Sequence, residues 1–430
     1  MRRAVVRSGH KRRPSNTGAR AIKDHYYLDN AATTWPKPDV VYKTMDAFFR
    51  GYGVNPGRAG HELAVEAEKM IVETRGLLAK FFNHRGDPER VVFTQNATDS
   101  LNIALFGLLR AGDHVVTTRL EHNSVLRPLK HLERDGGVSV THVGRDAQGY
   151  IDPEEIRGAI TPQTKVVVVN HASNVLGSVQ DIEAIGKISR AAETVFVVDS
   201  CQSAGVLPID VEAMGIDVLT FTGHKGLFGP MGIGGMIIRQ DLDLPPARVG
   251  GTGVDSISPF QPDIYPYHLE AGTVNLPGIA GLNAAQKWFA ELGRSRLGDA
   301  AKDVSHQQAC RAALNHIESV ELGHINRLAS ALREMDCVTV YGPEGNARRT
   351  AVLSMNIDNM PADQLGEMLD ADYHVCVRPG LHCAPLVHMD EGTVDQKGAV
   401  RFSPGYFSDD EDVDQAIAGI ADLAEIPVPA

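Results

Sequence analysis

The sequence has no apolar run long enough to cross a bilayer. Its longest, such as Val166-Val167-Val168-Val169 and Met236-Ile237-Ile238, fall far short of the roughly 20 residues a spanning helix needs. Cysteine is scarce: five in 430 residues (Cys201, Cys310, Cys337, Cys376, Cys383), an odd number. That argues against a disulfide framework and for a reducing compartment. No apolar stretch follows the basic N-terminus, so no secretory signal is read there, and a cytoplasmic enzyme is expected. No G-x-G-x-x-G follows a first strand. Gly232-Ile233-Gly234-Gly235 and Gly250-Gly251-Thr252-Gly253 lack that spacing, which argues against a dinucleotide oxidoreductase. Internal repeats and low-complexity segments are missing too.

There is also no excess of cations: 42 Lys and Arg stand against 54 Asp and Glu, a net charge of −12. Residues 1–23 hold eight of those cations and no acid, leaving 34 cations against 54 acids in the rest, a net of −20. An acidic body argues against nucleic acid as the main ligand. The basic arm, residues 1–25, reads as a flexible tail, with contact to an anionic partner or an address as the other readings.

From Tyr26 onward, short β-branched runs alternate with amphipathic stretches. Strands are expected at 90–94, 114–117, 165–170, 195–198 and 218–221, with helices at 99–109 and 182–192 between them. Such alternation implies an α/β fold, a mostly parallel sheet covered by helices. The run 165–170 is apolar throughout, as a strand buried on both faces requires. Near residue 280 the pattern turns helical as far as 333. Strands at 338–341 and 352–356 and helices at 361–369 and 410–423 follow, fitting a smaller α+β domain. The expected division is a large domain over 26–280 and a small one over 281–430.

In open parallel sheets, ligands bind at the carboxyl ends of the strands. The segments there are Asn96-Ala97-Thr98, Glu121-His122-Asn123, Asn170-His171-Ala172-Ser173-Asn174, Asp199 with Gln202, and Thr222-Gly223-His224-Lys225. Lys225, in a glycine-containing loop after an apolar strand, is placed to serve as an imine-forming amine. Asp199 ends a strand, a costly place for an acid without a cationic partner, and a protonated pyridine nitrogen would be one. The turn 96–98 opens a helix and offers N–H groups and a hydroxyl to a phosphate. Taken alone, Asp199 equally suits a turn cap and Lys225 an ordinary surface lysine. What favours the functional reading is that every element falls at a strand end.

Tyr27-Leu28-Asp29-Asn30-Ala31-Ala32-Thr33-Thr34, Asn96-Ala97-Thr98, Glu121-His122-Asn123-Ser124, Val198-Asp199-Ser200-Cys201-Gln202-Ser203 and Thr222-Gly223-His224-Lys225 together resemble the class V aminotransferase group of pyridoxal-phosphate enzymes. Arg378-Pro379-Gly380-Leu381-His382-Cys383-Ala384-Pro385 resembles the catalytic-cysteine segment of the SufS-like cysteine desulfurases. The likeness runs from about Tyr26 to Leu423. It implies the type I fold of pyridoxal-phosphate-dependent transferases, with a seven-stranded-type sheet in the large domain. It also implies a cytoplasmic homodimer with composite sites and a role in sulfur metabolism such as iron–sulfur cluster assembly.

Carried over position by position, the resemblance implies that Lys225 holds pyridoxal 5'-phosphate covalently and later moves protons on the substrate. Asp199 would hold the ring nitrogen, His122 would stack on the ring, Gln202 would bond its hydroxyl, and Asn174 would sit near ring and substrate. Ala97 and Thr98 would face the phosphate from one side, Thr222 and His224 from the other, and Thr273 would reach the phosphate of the other subunit. Arg401 would grip the substrate α-carboxylate through its fork, with Arg378 and Asn30 beside it. The substrate would be L-cysteine (or L-selenocysteine) and the nucleophile Cys383. Thiolate attack on the substrate sulfur would leave alanine and a Cys383 persulfide for an acceptor protein. His382 and Arg378 are expected to favour that thiolate.

Two segments, Gly51-Tyr52-Gly53-Val54-Asn55-Pro56-Gly57-Arg58 and residues 398–407, differ from the standard sulfur-assembly enzymes and resemble a less characterised desulfurase-like subfamily. Selenocysteine lyase, another C–S lyase or an aminotransferase is the alternative within the fold. From another class, the cluster His374, Cys376, His382, Cys383 and His388 suggests zinc, although its spacing matches no usual zinc module, and no metal is expected.

Overall fold

The computed structural model describes residues 25–56, 60–345 and 347–425; the basic arm and the end of the Gly51–Arg58 motif lie outside them. Seven strands form the main sheet: β1 (Val91–Thr94), β2 (His114–Thr118), β3 (Ser139–Val143), β4 (Thr164–Asn170), β5 (Val195–Asp199), β6 (Val218–Thr222) and β7 (Gly234–Ile238). Their order across the sheet is β1-β7-β6-β5-β4-β2-β3. Only β7 runs against the rest, antiparallel to both β6 and β1. Val166 to Val169 of β4 are wholly buried, because helices cover both faces of a central strand.

Six parallel strands send their carboxyl ends to one edge, which is where the chemistry-bearing segments gather. β7 presses close behind one of them: a Cβ on Gly234 would lie 2.7 Å from the Asn96 Cα, so only glycine lets this strand support the 96–98 turn. That turn opens helix α1 (Ala97–Leu108), capped by the Asn96 side chain accepting from the Asp99 N–H at 3.0 Å. Helix α2 (Asn123–Gly136) is capped in the same manner by His122.

The helical stretch expected over 280–333 is two helices, α3 (Leu276–Leu297) and α4 (His306–Arg333). Gly298, at φ 55°, ends the first, and Ser305 with Gln308 closes a capping box that starts the second. The periodicity is helical on both sides of the break, so the apolar pattern hides it. Helix α4 gives Ala313 and Ile317 to the core beneath the main sheet and Ile325 and Leu328 to a second core.

That second core lies against a four-stranded antiparallel sheet of β8 (Val338–Tyr341), β9 (Leu353–Ile357), β10 (Arg378–Gly380) and β11 (Ala399–Phe402), ordered β10-β11-β9-β8. Helices Ala362–Tyr373 and Asp410–Ala424 cover it. Tyr26 and Leu28 also belong to this core, since Tyr26–Tyr27 pairs in parallel with Val375–Cys376 and Asp29 bridges Ser403. No helix among the described residues is long and apolar enough to cross a membrane.

One buried ion pair fastens the loop before α3. Arg75 and Glu270, about 6% and 5% exposed, meet in a bidentate fork at 2.6 and 2.8 Å, and Glu270 also accepts the Phe93 N–H at 2.6 Å. Arg75 donates as well to the Val91 carbonyl and lies 4.4 Å over the Phe93 ring. Glu270→Ala would strand a guanidinium in the core, so a loss of about 3–5 kcal/mol is expected. A urea unfolding midpoint unchanged from the parent would contradict this.

Candidate active site

At the carboxyl edge of the main sheet lies a cavity of about 1070 Å³. Lys225, Asp199, His122, Ala97, Thr98, Gln202, Thr222, His224, Asn174, Arg378, Arg401 and Cys383 all line it. These residues come from five strand ends and from the β10–β11 pair of the four-stranded sheet, so the cavity lies where the two cores meet. Two loops touch on its floor: a Cβ on Gly205 (φ 84°) would fall 2.2 Å from the Gly226 carbonyl, which presses the Lys225 loop against the 200–204 turn.

Asp199 is 4% exposed and accepts the Cys201 N–H at 2.9 Å. Among the described residues no cation lies within ion-pair distance of it. Lys225 Nζ likewise has no hydrogen-bond partner among them, and its carbonyl is held by Thr34 Oγ1 at 3.0 Å. Thr222 Oγ1, His224 Nδ1, Asn170 Oδ1 and Asn174 Oδ1 are buried polar atoms of lining residues with no partner. Such groups cost free energy when left unpaired. A free amine, a buried carboxylate short of a cation, and orphaned polar atoms beside a helix N-terminus fit pyridoxal phosphate.

His122 Nδ1 accepts the Ser124 N–H at 3.0 Å and pairs with Ser124 Oγ at 2.8 Å, and that hydroxyl meets Thr98 Oγ1 at 2.7 Å. Ser124 therefore links His122 to Thr98 at the start of α1. Burial lowers the His122 pKa, opposed by Asp199 and aided by Lys225, so the imidazole is neutral at neutral pH. His224 is pushed down to about 4 by burial and by neighbouring Lys225 and Lys37. Lys37 Nζ donates to the His224 carbonyl at 3.0 Å and to Thr34 O and Oγ1 at 3.1 and 2.9 Å. Gln202 Nε2 donates to the Ala31 carbonyl at 3.0 Å, which fixes its amide. Behind Asp199, Glu121 is fully buried and its pKa is raised to about 8, chiefly by desolvation, so it is a neutral acid at pH 7.

Arg378 and Arg401 face each other directly across β10 and β11. Like charges so placed repel, and Asp29 separates them. Its Oδ1 is 2.9 Å from Arg401 Nη2, and its Oδ2 is 2.8 Å from Arg378 Nη2. Arg401 also gives Nη1 to the Asn174 carbonyl at 3.1 Å, while its buried Nε is unbonded. Asp29 was not singled out from the sequence. It lies within a quoted motif, but its partners stand 349 and 372 residues away.

Asn30 does not line the cavity. Its Nδ2 donates to the Ser403 carbonyl at 3.0 Å and its Oδ1 accepts the Trp35 N–H at 3.1 Å, so the amide holds the N-terminal strap and is not available to a substrate. Thr273 also lies away from this chain's own cavity, exposed in the loop before α3.

Cys383 is exposed at the cavity wall, and both it and His382 adopt left-handed backbone (φ 55° and 48°). Each such non-glycine residue costs about 1–3 kcal/mol and persists only where the surroundings over-determine it. Here they do. Asn174 Nδ2 donates to the His382 carbonyl, and the Asn123 N–H donates to the Cys383 carbonyl, both at 2.6 Å. His382 Nε2 donates to the Arg378 carbonyl at 2.8 Å, which leaves its Nδ1 to accept from His388 Nε2 at 3.2 Å; Thr393 then donates to His388 Nδ1 at 2.8 Å.

The expected help from His382 as a cation beside the thiol is overturned. Burial first, then Arg401, holds its pKa well below the usual range, so the ring is neutral and acts by positioning. Arg378 is the cation within electrostatic reach of Cys383. Among the described residues no three His, Cys, Asp or Glu side chains gather as a metal site. Of the suspected zinc cluster, His382 and His388 bond each other, the Arg378 carbonyl and the Thr393 hydroxyl.

A family model described as aminotransferase class-V matches residues 26–327 and 309–416. A probable cysteine desulfurase of Methanothermobacter thermautotrophicus is 33% identical over 397 residues, 91% of this chain and 93% of that one. A cysteine desulfurase of Yersinia pestis is 30% identical over 410 residues, 93% of each chain. Among solved structures, the apo cysteine desulfurase of Thermococcus onnurineus NA1 superposes with a TM-score of 0.83 at 31% identity, covering 93% of this chain and 95% of that one. The family model spans most of the described residues and the relatives about nine-tenths of the chain, so the chain belongs to the class V aminotransferase family.

Proposed function

We propose that this chain is a pyridoxal-phosphate-dependent cysteine desulfurase, taking sulfur from L-cysteine, releasing L-alanine and holding the sulfur on Cys383. The observation that carries the reading is an exposed thiol on the wall of the cavity that also holds Lys225 and Asp199. When bound, pyridoxal phosphate supplies an electron-withdrawing ring that acidifies the Cα–H of an attached amino acid. Thr98, Thr222 and His224 hold the phosphate, Asp199 the ring nitrogen and Gln202 the ring hydroxyl.

Arg401 takes the substrate carboxylate through the Nε that no protein atom uses, and Asp29 keeps its fork in place. Lys225 moves the proton at Cα. Cys383 Sγ attacks the substrate sulfur: the Sγ–S bond forms, the Cβ–S bond breaks, and its electron pair stays with the carbon, which is protonated to the methyl group of alanine. Arg378 lies within electrostatic reach of the attacking sulfur. Incubation with L-cysteine should yield alanine and add one sulfur atom to the peptide bearing Cys383. Alanine without that mass gain would overturn the assignment of the nucleophile.

The active form in this reading is a homodimer with composite sites. Supporting it, Thr273 stands outside its own cavity, near a loop whose Ile257 and Phe260 are 96% and 81% exposed. Statistical mixing of equal amounts of inactive Lys225→Ala and impaired Thr273→Ala subunits should then restore about a quarter of wild-type activity, since about half of the dimers are hybrids with one intact site each. One site of each hybrid has its own Lys225 and an intact Thr273 from its neighbour. No gain on mixing would refute the shared site. A thiol as open as Cys383 suits a reducing, cytoplasmic setting, and a sulfur acceptor completes the cycle.

A further inference from the structure

We propose that Arg119 and Arg145, at the carboxyl edge of the main sheet, are positioning residues that hold the Cys383 segment at its working reach. This rests on the desulfurase reading of the site, which makes Cys383 the attacking sulfur.

The segment between β10 and β11 belongs by its strands to the second core, yet it has an apolar foot in the first. Ala384 and Val387 are wholly buried there, three residues apart at the start of the short helix Pro385–Asp390. Two small side chains fix where the helix rests but leave it free to pivot about that contact.

Two ion pairs at the far end of the helix remove the pivot. Arg119, directly after β2, meets Asp390 side-on, its Nε 2.9 Å from Oδ2 and its Nη2 donating to Oδ1. Arg145, two residues past the neighbouring β3, lies 2.6 Å through Nη2 from Glu391 Oε1. The Arg145 and Glu391 side chains are 7% and 20% exposed, so this pair is screened far less than one on the surface. Both arginines are held in turn. The Arg119 N–H donates to the Val143 carbonyl at 3.0 Å, and Arg145 Nη1 donates to the Asp146 carbonyl at 2.9 Å.

Cys383 therefore sits between two fixings. Upstream, its own carbonyl and that of His382 are bonded to Asn123 and Asn174. Downstream, the helix is pinned by the arginines. The left-handed backbone of His382 and Cys383 is kept by this double hold. Attack on a sulfur needs the reacting atoms aligned, and a misplacement of about 1 Å can cost about 10²-fold in rate. Releasing the downstream end slows that attack, while Lys225, Asp199 and Arg401 stand on other elements and keep their hold on cofactor and substrate.

The full-length, cofactor-loaded protein tests this. In Arg119→Gln, kcat for alanine release and the single-turnover rate of sulfur loading on Cys383 should both fall about tenfold. In Arg119→Gln/Arg145→Gln the fall should be about 10²-fold. Visible absorbance and KM for L-cysteine should stay within about twofold of the parent. Hydrogen exchange should quicken about threefold or more in the peptide spanning 384–391 and nowhere else. Exchanging the partners in Arg119→Asp/Asp390→Arg should recover most of the rate that each single reversal loses. If the double variant does not fold, Arg119→Gln, whose side chain is 34% exposed, decides the matter by itself. Unchanged sulfur loading in Arg119→Gln overturns the inference. So does a loss of rate, absorbance and urea midpoint together that the exchanged pair does not rescue. If the helix loosens as expected but the parent loads no sulfur on Cys383 from L-cysteine, the desulfurase reading has failed, and the role given to the arginines falls with it.

Discussion

A Lys225→Ala variant is expected to lose its visible absorbance and to release alanine from L-cysteine at least about 10³-fold more slowly than the parent. The size of the effect follows from the lack of a substitute amine. Lys37 is the nearby candidate, but its Nζ already donates to three oxygens of Thr34 and His224, and it does not line the cavity. The Lys225 side chain supports nothing else, since its Nζ has no protein partner among the described residues, so the fold should survive the change. The check is a spectrum and an alanine assay beside a urea unfolding curve. A variant that unfolds like the parent yet keeps both absorbance and turnover would remove Lys225 from the chemistry.

Cys383→Ala should separate cofactor binding from sulfur removal. The absorbance is expected to remain while desulfuration of L-cysteine falls by about 10²–10³-fold and the sulfur adduct disappears. The other thiols cannot stand in. Cys201 lines the same cavity, but burial, with Asp199 adding to it, raises its thiol well above the ordinary range. Cys376 is raised as well, again mainly by burial, and does not line the cavity. A variant desulfurating L-cysteine at the parental rate would point to elimination chemistry in which the protein thiol takes no part.

The central strands were readable because a central parallel strand must be apolar on both faces, and Val166 to Val169 display that requirement in four consecutive letters; β3, largely exposed, and β7, which opens on two glycines, were not expected. The cavity was readable because a parallel sheet obliges ligands to its carboxyl edge, where Lys225, Asp199 and His122 stand. What local sequence conceals is burial and distance. The break between α3 and α4 interrupts no apolar periodicity and shows only as Gly298 and Ser305. His382 stands next to Cys383 in the sequence, which suggested a cation, yet its neutrality comes from burial and from Arg401 on the neighbouring strand β11. Asp29 is an ordinary acid until two arginines arrive from the far end of the chain. Ser124 had a weaker signal: it follows His122 by two at a helix start, where a hydroxyl readily meets a capping side chain.

The placement of Asp29 bears on how the protein is made. Residues 26–30 leave the ribosome long before their sheet partners at 375–376 and 403 are translated. Until then Asp29 has no arginine to separate, and the anion-gripping end of the cavity does not exist. Nascent chains can therefore complete the large sheet, and the aldehyde-facing wall upon it, well before they can hold an amino acid. A shortened chain ending ahead of residue 399 would keep that wall and never acquire the grip.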